Sequence, residues 1–368
     1  MSSLFSTVRL GPHTLSHRIV MAPLTRMRAA TDDIPGELMV EYYSQRASQG
    51  GLIIAEATPV SVRGNGYQGA PGVYDDRQIA GWKKVVDAVH AKGARIFLQL
   101  FHAGRQSHQD LQPGGGAPLA PSALPFDGRS YTREGWQVAS PARAMTLEDI
   151  SVAIEEFREA ARRALAAGFD GVEIHGANGY LVDQFLQDGS NQRTDNYGGS
   201  VENRARFLLE VTAAAASVVG TDRVGVRLAP SGGFGGMFDS DPNATFSYAV
   251  SQLDTLGLAY LHVIEPRVAG GQTVKEDGGV VAARHFRTIF KGPIIAAGGF
   301  TAASAAAVIA DGDADLVAFG RDFIANPDLP HRVKHQLPLN PYNRDTFYGG
   351  DHRGYIDYPF VTKATTVA

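Results

Sequence analysis

Eight short runs of apolar, often β-branched residues recur along the 368-residue chain, and a segment with helical periodicity separates each run from the next. The runs are almost continuously apolar, as are parallel strands that are buried on both faces. They span Arg18–Met21, Gly51–Ala57, Ala94–His102, Gly171–Ala177, Val224–Ala229, Tyr260–Glu265, Pro293–Gly298 and Leu316–Gly320. Eight strand–helix units in a row predict an α/β fold, a single closed (β/α)8 TIM barrel. A doubly wound open sheet is the main alternative.

The helical segments carry local signals for where they begin and end. The segments span Glu37–Ser48, Arg77–Lys92, Leu147–Ala167, Val201–Val218, Ala244–Thr255, Ala282–Phe290 and Thr301–Ala310. Thr146, three residues before Asp149, is typical of a capped helix start, and Gly93 and Gly168 are typical of helix ends. These signals place helices between the predicted strands.

The interval between the third and fourth strands is the longest, and it contains an insertion at residues 103–143. This segment is rich in glycine, proline, serine and aromatic residues, so we expect a loop or hairpin lid rather than a second domain. Residues 337–368 are equally irregular, and we expect a C-terminal tail there. The whole chain, residues 1–368, is therefore expected to form one barrel domain.

The composition excludes several classes of function. A formal charge of −4 argues against binding to nucleic acid or to anionic membranes. The absence of cysteine excludes disulfides, iron–sulfur clusters, thiolate zinc sites and a cysteine nucleophile. The chain has neither the apolar core of a signal peptide at its start nor an apolar run of about 18 residues, which predicts a cytoplasmic protein. Histidines and carboxylates do not cluster at the strand ends, so no metal site is expected.

The active site of a (β/α)8 barrel lies at the carboxyl ends of its strands. The polar residues and glycines at those ends are Thr25, Gln99, His102, His175, Asn178, Arg227, Glu265, Gly298, Gly299, Gly320 and Arg321. Each of them alone can be a structural residue; Gln99 and Arg227, for example, could pair with each other in the core. Together they predict a single polar mouth.

The glycines after the last two strands point to a phosphate site. Gly298 and Gly299 follow the seventh strand, and Gly320 and Arg321 follow the eighth, where such barrels commonly bind phosphate. Glycine lets backbone N–H groups approach an anion, and arginine can hold it with two hydrogen bonds. By contrast, the G-x-G-x-x-G match at Gly64–Gly69 runs into Pro71 instead of a helix, so we reject a dinucleotide-binding interpretation.

Several motifs together resemble the Old Yellow Enzyme family of FMN-dependent ene-reductases, over nearly the whole chain. They are Met21-Ala-Pro-Leu-Thr-Arg26, Arg63-Gly-Asn-Gly-Tyr-Gln-Gly-Ala-Pro-Gly72, Gln99-Leu-Phe-His-Ala-Gly-Arg105, His175-Gly-Ala-Asn-Gly-Tyr-Leu-Val-Asp-Gln-Phe185, Arg193-Thr-Asp-Asn-Tyr-Gly-Gly-Ser200, Asn326-Pro-Asp-Leu329 and Phe347-Tyr-Gly-Gly350. The resemblance implies bound, non-covalent FMN and NADPH or NADH as hydride donor. The absence of cysteine excludes the family's iron–sulfur branch.

The resemblance also assigns roles to residues of this chain. Those implied to bind FMN are Pro23, Leu24, Thr25, Ala57, Gln99, Arg227, Gly298, Gly299, Gly320 and Arg321. His175 and Asn178 would hydrogen-bond the substrate oxygen, and Tyr180 would donate a proton. Tyr67, Phe101 and Tyr348 would line the substrate pocket. Thr25 replaces a cysteine that another branch carries, and Phe101 replaces a common tryptophan.

The implied activity has two half-reactions. NAD(P)H reduces FMN, and the β-carbon of an activated alkene (an enone, maleimide or nitroalkene) then takes the hydride; nitro compounds and nitrate esters are further candidate substrates. We expect a monomer or weak homo-oligomer that acts on a small molecule. A flavin-free isomerase or lyase and a non-catalytic nucleotide-binding barrel remain alternatives. The role of the glycine-rich loop Ser231–Met237 stays open.

Overall fold

The structure, a computed structural model, describes residues 2–266, 268–269, 272–273 and 282–361. Eight parallel strands form a closed barrel in which each strand pairs with the next and the last with the first. They are β1 (Ile19–Met21), β2 (Leu52–Pro59), β3 (Arg95–Phe101), β4 (Gly171–Gly176), β5 (Val224–Leu228), β6 (Tyr260–Ile264), β7 (Ile294–Ala297) and β8 (Leu316–Phe319). The predicted (β/α)8 barrel is confirmed, and the open sheet is excluded.

Helices cover the outside of the barrel. They are α1 (Glu37–Arg46), α2 (Asp76–His90), α3 (Leu147–Ala166), α4 (Leu181–Leu186), α5 (Val201–Val219), α6 (Pro242–Asp254), α7 (Ala283–Phe286), α8 (Ala302–Ala310), α9 (Arg321–Ala325) and α10 (Leu329–His335). The predicted capping box of α3 is confirmed, because Thr146 and Asp149 exchange hydrogen bonds. Gly93 and Gly168 have φ of 75° and 94°, a left-handed conformation that ends a helix and favours glycine.

An N-terminal hairpin closes the amino end of the barrel. Its strands, Val8–Leu10 and His13–Leu15, pair antiparallel. Leu10 and Leu15 are buried in a cluster with Phe97 and other residues from the barrel's lower interior. This hairpin was not predictable from the sequence, because strands of three residues give too short a pattern.

The insertion after β3 contains short strands beside the carboxyl end of the barrel. Arg129–Thr132 and Gly135–Val138 form an antiparallel hairpin. Leu119–Ala120 pairs with Arg143–Ala144. Gln68 donates its backbone N–H to the Tyr131 carbonyl at 2.7 Å, which ties the hairpin to the loop after β2.

The C-terminal segment runs back across the barrel. Within residues 337–361, the described part of the predicted tail, regular structure is limited to a short 3-10 helix at Arg344–Thr346; residues 362–368 lie outside the described residues. The buried Arg26 guanidinium donates to the carbonyls of Phe347 at 2.8 Å and Gly354 at 2.7 Å. A side chain that follows β1 therefore holds this segment near the barrel mouth. None of the described helices is long and apolar enough to cross a membrane.

Candidate active site

A cavity of about 640 Å³ opens at the carboxyl ends of the barrel strands. Most residues that the sequence analysis assigned to the site line it. They are Pro23, Leu24, Thr25, Tyr67, Gln99, His175, Asn178, Tyr180, Arg227, Gly298, Gly299, Gly320, Arg321 and Tyr348. The structure thus brings together side chains from distant parts of the sequence, as expected of a barrel mouth.

Two assigned residues, Ala57 and Phe101, are not among those that line the cavity. Both are buried in an apolar cluster with Tyr67 and Tyr180. The Phe101 ring packs edge-on against Tyr180, with centroids 4.6 Å apart. Phe101 therefore supports a wall residue, Tyr180, and its own place in the substrate pocket stays a prediction.

Two other strand-end residues have structural partners instead of facing the cavity. His102 is buried, its Nδ1 accepts the Gly104 N–H at 3.0 Å, and burial lowers its pKa to about 3. Glu265 Oε1 accepts the Ala283 N–H at 3.0 Å, at the start of α7. Neither is among the residues that line the cavity.

One end of the cavity is a glycine-rich turn pair beside a cationic side chain. Gly298 and Gly299 have φ of 118° and 65°, values that favour glycine. A Cβ on Gly320 would lie 3.2 Å from Leu24 Cδ2, so a side chain there would crowd the wall. Arg321, the next residue, lines the cavity, and its guanidinium lies 5.7 Å from the Tyr342 ring centre. The arrangement leaves room for an anionic group close to the backbone.

The floor of the cavity rests on a buried polar cluster that the sequence analysis missed. Gln99 Nε2 donates to Glu173 Oε1 at 2.7 Å, and His262 Nδ1 lies 2.8 Å from Glu173 Oε2. The sequence left open that Gln99 and Arg227 pair with each other in the core. In the structure Gln99 pairs with Glu173 instead. Glu173 and His262 lie inside apolar strand runs. An ionisable residue in such a run is the sequence signal that could have predicted this cluster.

Arg227 lies on β5 next to His175 of β4. It is buried, and no described residue makes a hydrogen bond with its Nε. Burial lowers the pKa of Arg227 from its ordinary value, while the negative charge of Glu173 opposes that shift. An arginine retains its proton at neutral pH, so the cavity has a fixed positive charge with an open donor.

His175 and Asn178 lie at the carboxyl end of β4. Burial, together with Arg227 and His262, lowers the pKa of His175 well below its ordinary value, so this imidazole is neutral at pH 7. His175 Nδ1 is buried, and no described residue bonds to it. Asn178 has φ of 58°, and its carbonyl accepts from Gln106 Nε2 at 2.9 Å. A neutral imidazole and a carboxamide therefore line the same wall.

Tyr180 precedes the first residue of α4 and lines the cavity. Its hydroxyl lies 2.8 Å from the Tyr67 hydroxyl. Burial raises the pKa of Tyr180 well above its ordinary value and raises the pKa of Tyr67 to about 12. Both phenols are therefore protonated at neutral pH and can act as acids but not as resident bases.

Aromatic side chains surround the entrance. Trp136 of the hairpin is 37% exposed and Tyr348 of the C-terminal segment 45%, and their ring centroids are 5.8 Å apart. Phe234, from the loop Ser231–Met237, also lines the cavity. Arg105 Nη2 holds that loop by donating to the carbonyls of Gly235 at 3.0 Å and Gly236 at 3.2 Å. Trp136, Phe234 and Arg105 were not predicted from the sequence as residues of the site.

The cavity can therefore bind a ligand that has an anionic end and a polar part. The glycine turns and Arg321 suit an anionic end, while Gln99 and Arg227 present an amide and a guanidinium. His175, Asn178 and Tyr180 can bond an oxygen atom or donate a proton. Among the residues described, no group of three or more histidines and carboxylates could hold a metal ion.

Comparisons with known proteins agree over nearly the whole chain. A profile of the NADH:flavin oxidoreductase / NADH oxidase family matches residues 3–340. 12-Oxophytodienoate reductase 1 of Oryza sativa subsp. japonica is 48% identical over 363 residues, 97% of this chain and 93% of that protein. Among solved structures, morphinone reductase in complex with tetrahydroNAD has a TM-score of 0.91 and 48% identity and covers 98% of both chains. The Old Yellow Enzyme homologue from Zymomonas mobilis has a TM-score of 0.91 and 41% identity, covering 97% of this chain and 99% of that one.

Proposed function

The chain belongs to the NADH:flavin oxidoreductase / NADH oxidase family, of the Old Yellow Enzyme type, and we propose that it is an FMN-dependent ene-reductase. Membership makes it an NAD(P)H-dependent flavin oxidoreductase. The relatives' names indicate the kind of substrate, since 12-oxophytodienoate and morphinone reductases are named for the compounds that they reduce. The proposal extends that chemistry to activated alkenes in general.

The residues of the cavity fit FMN. Arg227 Nε is a buried donor to which no described residue bonds. Buried donors normally have a hydrogen-bond partner, and a polar edge of the flavin ring would provide one. Gly298, Gly299, Gly320 and Arg321 suit a phosphate, because backbone N–H groups and a guanidinium can both donate to it. Pro23, Leu24 and Thr25 would contact the ring from the loop after β1, and Gln99 its pyrimidine edge.

FMN, when bound, supplies hydride transfer from NADH or NADPH to the β-carbon of the substrate. His175 and Asn178 would bind the substrate's carbonyl or nitro oxygen and stabilise the negative charge that develops there. The neutral state of His175 suits this role, because a neutral imidazole with one N–H donates a single hydrogen bond without giving up its proton. Tyr180 would then donate a proton to the α-carbon.

The observation that carries the proposal is the meeting of three groups in one cavity. The first group is the glycine cradle, made of Gly298, Gly299, Gly320 and Arg321. The second is the amide of Gln99 and the guanidinium of Arg227, and the third is the wall of His175, Asn178 and Tyr180. All three groups line the same cavity. A flavin-free isomerase or lyase would use the cradle but has no need of the other two groups. We propose enones, maleimides and nitroalkenes as substrates, with nitro compounds and nitrate esters as further candidates.

An absorbance titration tests the proposal. Protein purified or reconstituted with FMN should be yellow, lose its colour with NADPH or NADH without oxygen, and regain it with 2-cyclohexenone. Steady-state rates with each nucleotide then give the coenzyme preference. A colourless protein that cannot bind added FMN, or a reduced protein that no activated alkene reoxidises, would contradict the proposal.

A further inference from the structure

A buried carboxylate, that of Glu173, lies next to Gln99, a residue that lines the cavity. Glu173 and His262 are fully buried, and Gln99 is 1% exposed. The strand register places Glu173 opposite Gln99 of β3, and Arg227 lies between His175 of β4 and His262 of β6. Burying an ionisable group is costly unless it is paired, so this cluster requires an explanation that the proposed chemistry does not supply.

We propose that Glu173, held by His262, is a positioning residue that orients Gln99 toward the flavin and, by its charge, lowers the reduction potential of bound FMN. The inference rests on the proposed function, since it concerns the flavin site. It adds two residues to that site, neither of which lines the cavity.

The orientation of Gln99 follows from what a carboxylate can do. An ionised carboxylate only accepts hydrogen bonds, so the Gln99 group 2.7 Å from Glu173 is the NH2. The amide oxygen is then the atom left for the cavity. The pyrimidine edge of a flavin carries one N–H between two carbonyl oxygens, and an oxygen acceptor matches that N–H. A neutral side chain at position 173 would allow either orientation of the Gln99 amide.

His262 holds the carboxylate in its ionised form. Burial alone would raise the pKa of Glu173, but hydrogen bonds from His262 and Gln99 and the positive charge of Arg227 outweigh burial and lower it. Burial lowers the pKa of His262, so the imidazole is neutral and donates from Nδ1 to Glu173. No described residue bonds to His262 Nε2. The pair therefore carries one negative charge inside the barrel.

That charge opposes the positive charge of Arg227, which lines the cavity. Two-electron reduction of a flavin places negative charge at its N1 and O2 edge, which Arg227 stabilises and Glu173 destabilises. Both side chains are buried, where charges interact more strongly than in water. Glu173 thus makes bound FMN a stronger reductant than Arg227 alone would.

The substitution Glu173→Gln tests the charge with little change of shape. The new amide oxygen can accept from Gln99, and the new NH2 can donate to His262 Nδ1 if the imidazole proton moves to Nε2. Glu210→Gln is the matched control, because Glu210 accepts a hydrogen bond from Tyr197 at 2.8 Å on α5, outside the barrel. Both variants and the wild type are compared as FMN holoenzymes.

The readout is the reduction potential of bound FMN, measured by equilibration with a reference dye. Glu173→Gln should favour the reduced form about tenfold over wild type, a rise of about 30 mV for a two-electron couple. Glu210→Gln should change the ratio less than twofold. An unchanged ratio in an FMN-loaded Glu173→Gln protein overturns the inference and leaves the proposed function intact, whereas wild type that binds no FMN overturns the proposed function.

Glu173→Asp provides a second test that does not depend on how well Glu173→Gln folds. The shorter side chain keeps the charge but withdraws from Gln99. We expect the dissociation constant for oxidised FMN to rise at least threefold. The ratio of the affinities for reduced and oxidised FMN should stay within twofold of the wild-type ratio. A tenfold change of that ratio with the charge retained would overturn the role of the charge, and unchanged FMN affinity would overturn the role in orienting Gln99.

Discussion

Tyr180 lies beside a second phenol, and its hydroxyl is 2.8 Å from that of Tyr67. Phe101 packs against both rings, with centroids 4.6 Å from Tyr180 and 6.4 Å from Tyr67. The hydroxyl of Tyr180 is therefore held in one place, beside a second protonated hydroxyl. Pre-set geometry of this kind is what a general acid requires.

The first prediction separates the two half-reactions at Tyr180. Tyr180→Phe should leave the reduction of bound FMN by NADPH within about threefold of wild type, because that step needs no proton from the phenol. Reoxidation by 2-cyclohexenone should slow by roughly 10²–10⁴-fold, the usual contribution of a positioned acid. Stopped-flow absorbance measures both steps. Equal slowing of both steps, or of neither, would remove Tyr180 from the proton-donor role.

The second prediction concerns the cationic side chain of the glycine cradle. Arg321→Ala should weaken FMN binding by about 1.5–3 kcal/mol, the range for a hydrogen bond to a charged group. Arg344→Ala is the control, since the Arg344 guanidinium also approaches the Tyr342 ring, at 5.6 Å, but is not among the cavity-lining residues. Fluorescence titration of the apoprotein with FMN gives both affinities. Equal losses in the two variants would show that Arg321 has no specific contact with the phosphate.

At the scale of elements, the loops after the strands are held by side chains from the insertion that follows β3. Gln106 Nε2 donates to the carbonyls of Asn178 and Gly179, both at 2.9 Å. Arg105 does the same for the loop Ser231–Met237, and its guanidinium lies 4.6 Å from the Phe126 ring centre. The insertion therefore positions two active-site loops as well as covering the mouth.

The third prediction removes this support from the glycine-rich loop. Arg105→Ala should raise KM for a bulky enone about tenfold, because Phe234 loses its fixed position on the wall. FMN affinity should stay within twofold, since Arg105 does not line the cavity. Hydrogen exchange of the peptide containing Ser231–Met237 should become faster. Unchanged exchange together with unchanged KM would contradict a positioning role for Arg105.

At the scale of the whole molecule, function and stability lie at opposite ends of the barrel, as is general for this fold. The amino end carries the hairpin of residues 8–15 and the buried His17. His17 Nδ1 accepts the Ile19 N–H at 3.3 Å, and Nε2 lies 3.0 Å from Ser48 Oγ. Burial lowers the pKa of His17 from 6.5 to about 4, so this histidine is neutral when the protein is folded at pH 7.

The fourth prediction follows from that shift. Between about pH 4 and 6.5 the unfolded chain binds a proton at His17 that the folded protein does not, so the contribution of His17 to stability increases with pH in this window and is level above it. His17→Gln should remove a slope of up to about 1.4 kcal/mol per pH unit. Urea unfolding at several pH values measures it. FMN affinity should not change, because His17 is far from the mouth in the fold.

The pH dependence of stability must be compared between wild type and the His17→Gln variant, because the curve of the wild type alone contains other groups. Glu56 and Asp183 are buried carboxyl groups whose pKa burial raises to about 7. Their folded forms hold a proton that the unfolded chain has released, so their contribution decreases as pH rises through the same window. Only the difference between the two proteins isolates His17, and parallel curves would contradict the prediction.

The order and position of the barrel strands could be predicted from the sequence, because a strand buried on both faces leaves an apolar run that is visible locally. The cap of α3 at Thr146 and the helix ends at Gly93 and Gly168 were predictable for the same reason, since each depends on residues a few positions away. The glycines and Arg321 were found at the mouth because every parallel strand of a barrel ends on the same side.

Only the tertiary structure decided the contacts between residues that are distant in the sequence. Tyr67 and Tyr180 meet across 113 positions, and Gln99 meets Glu173 across 74. The edge-on packing of Phe101 against Tyr180, across 79 positions, is a contact of the same kind. Strand register and barrel closure bring such side chains within hydrogen-bond distance, and neither leaves a local pattern in the chain, so the buried charge of Glu173 became apparent only in the folded barrel.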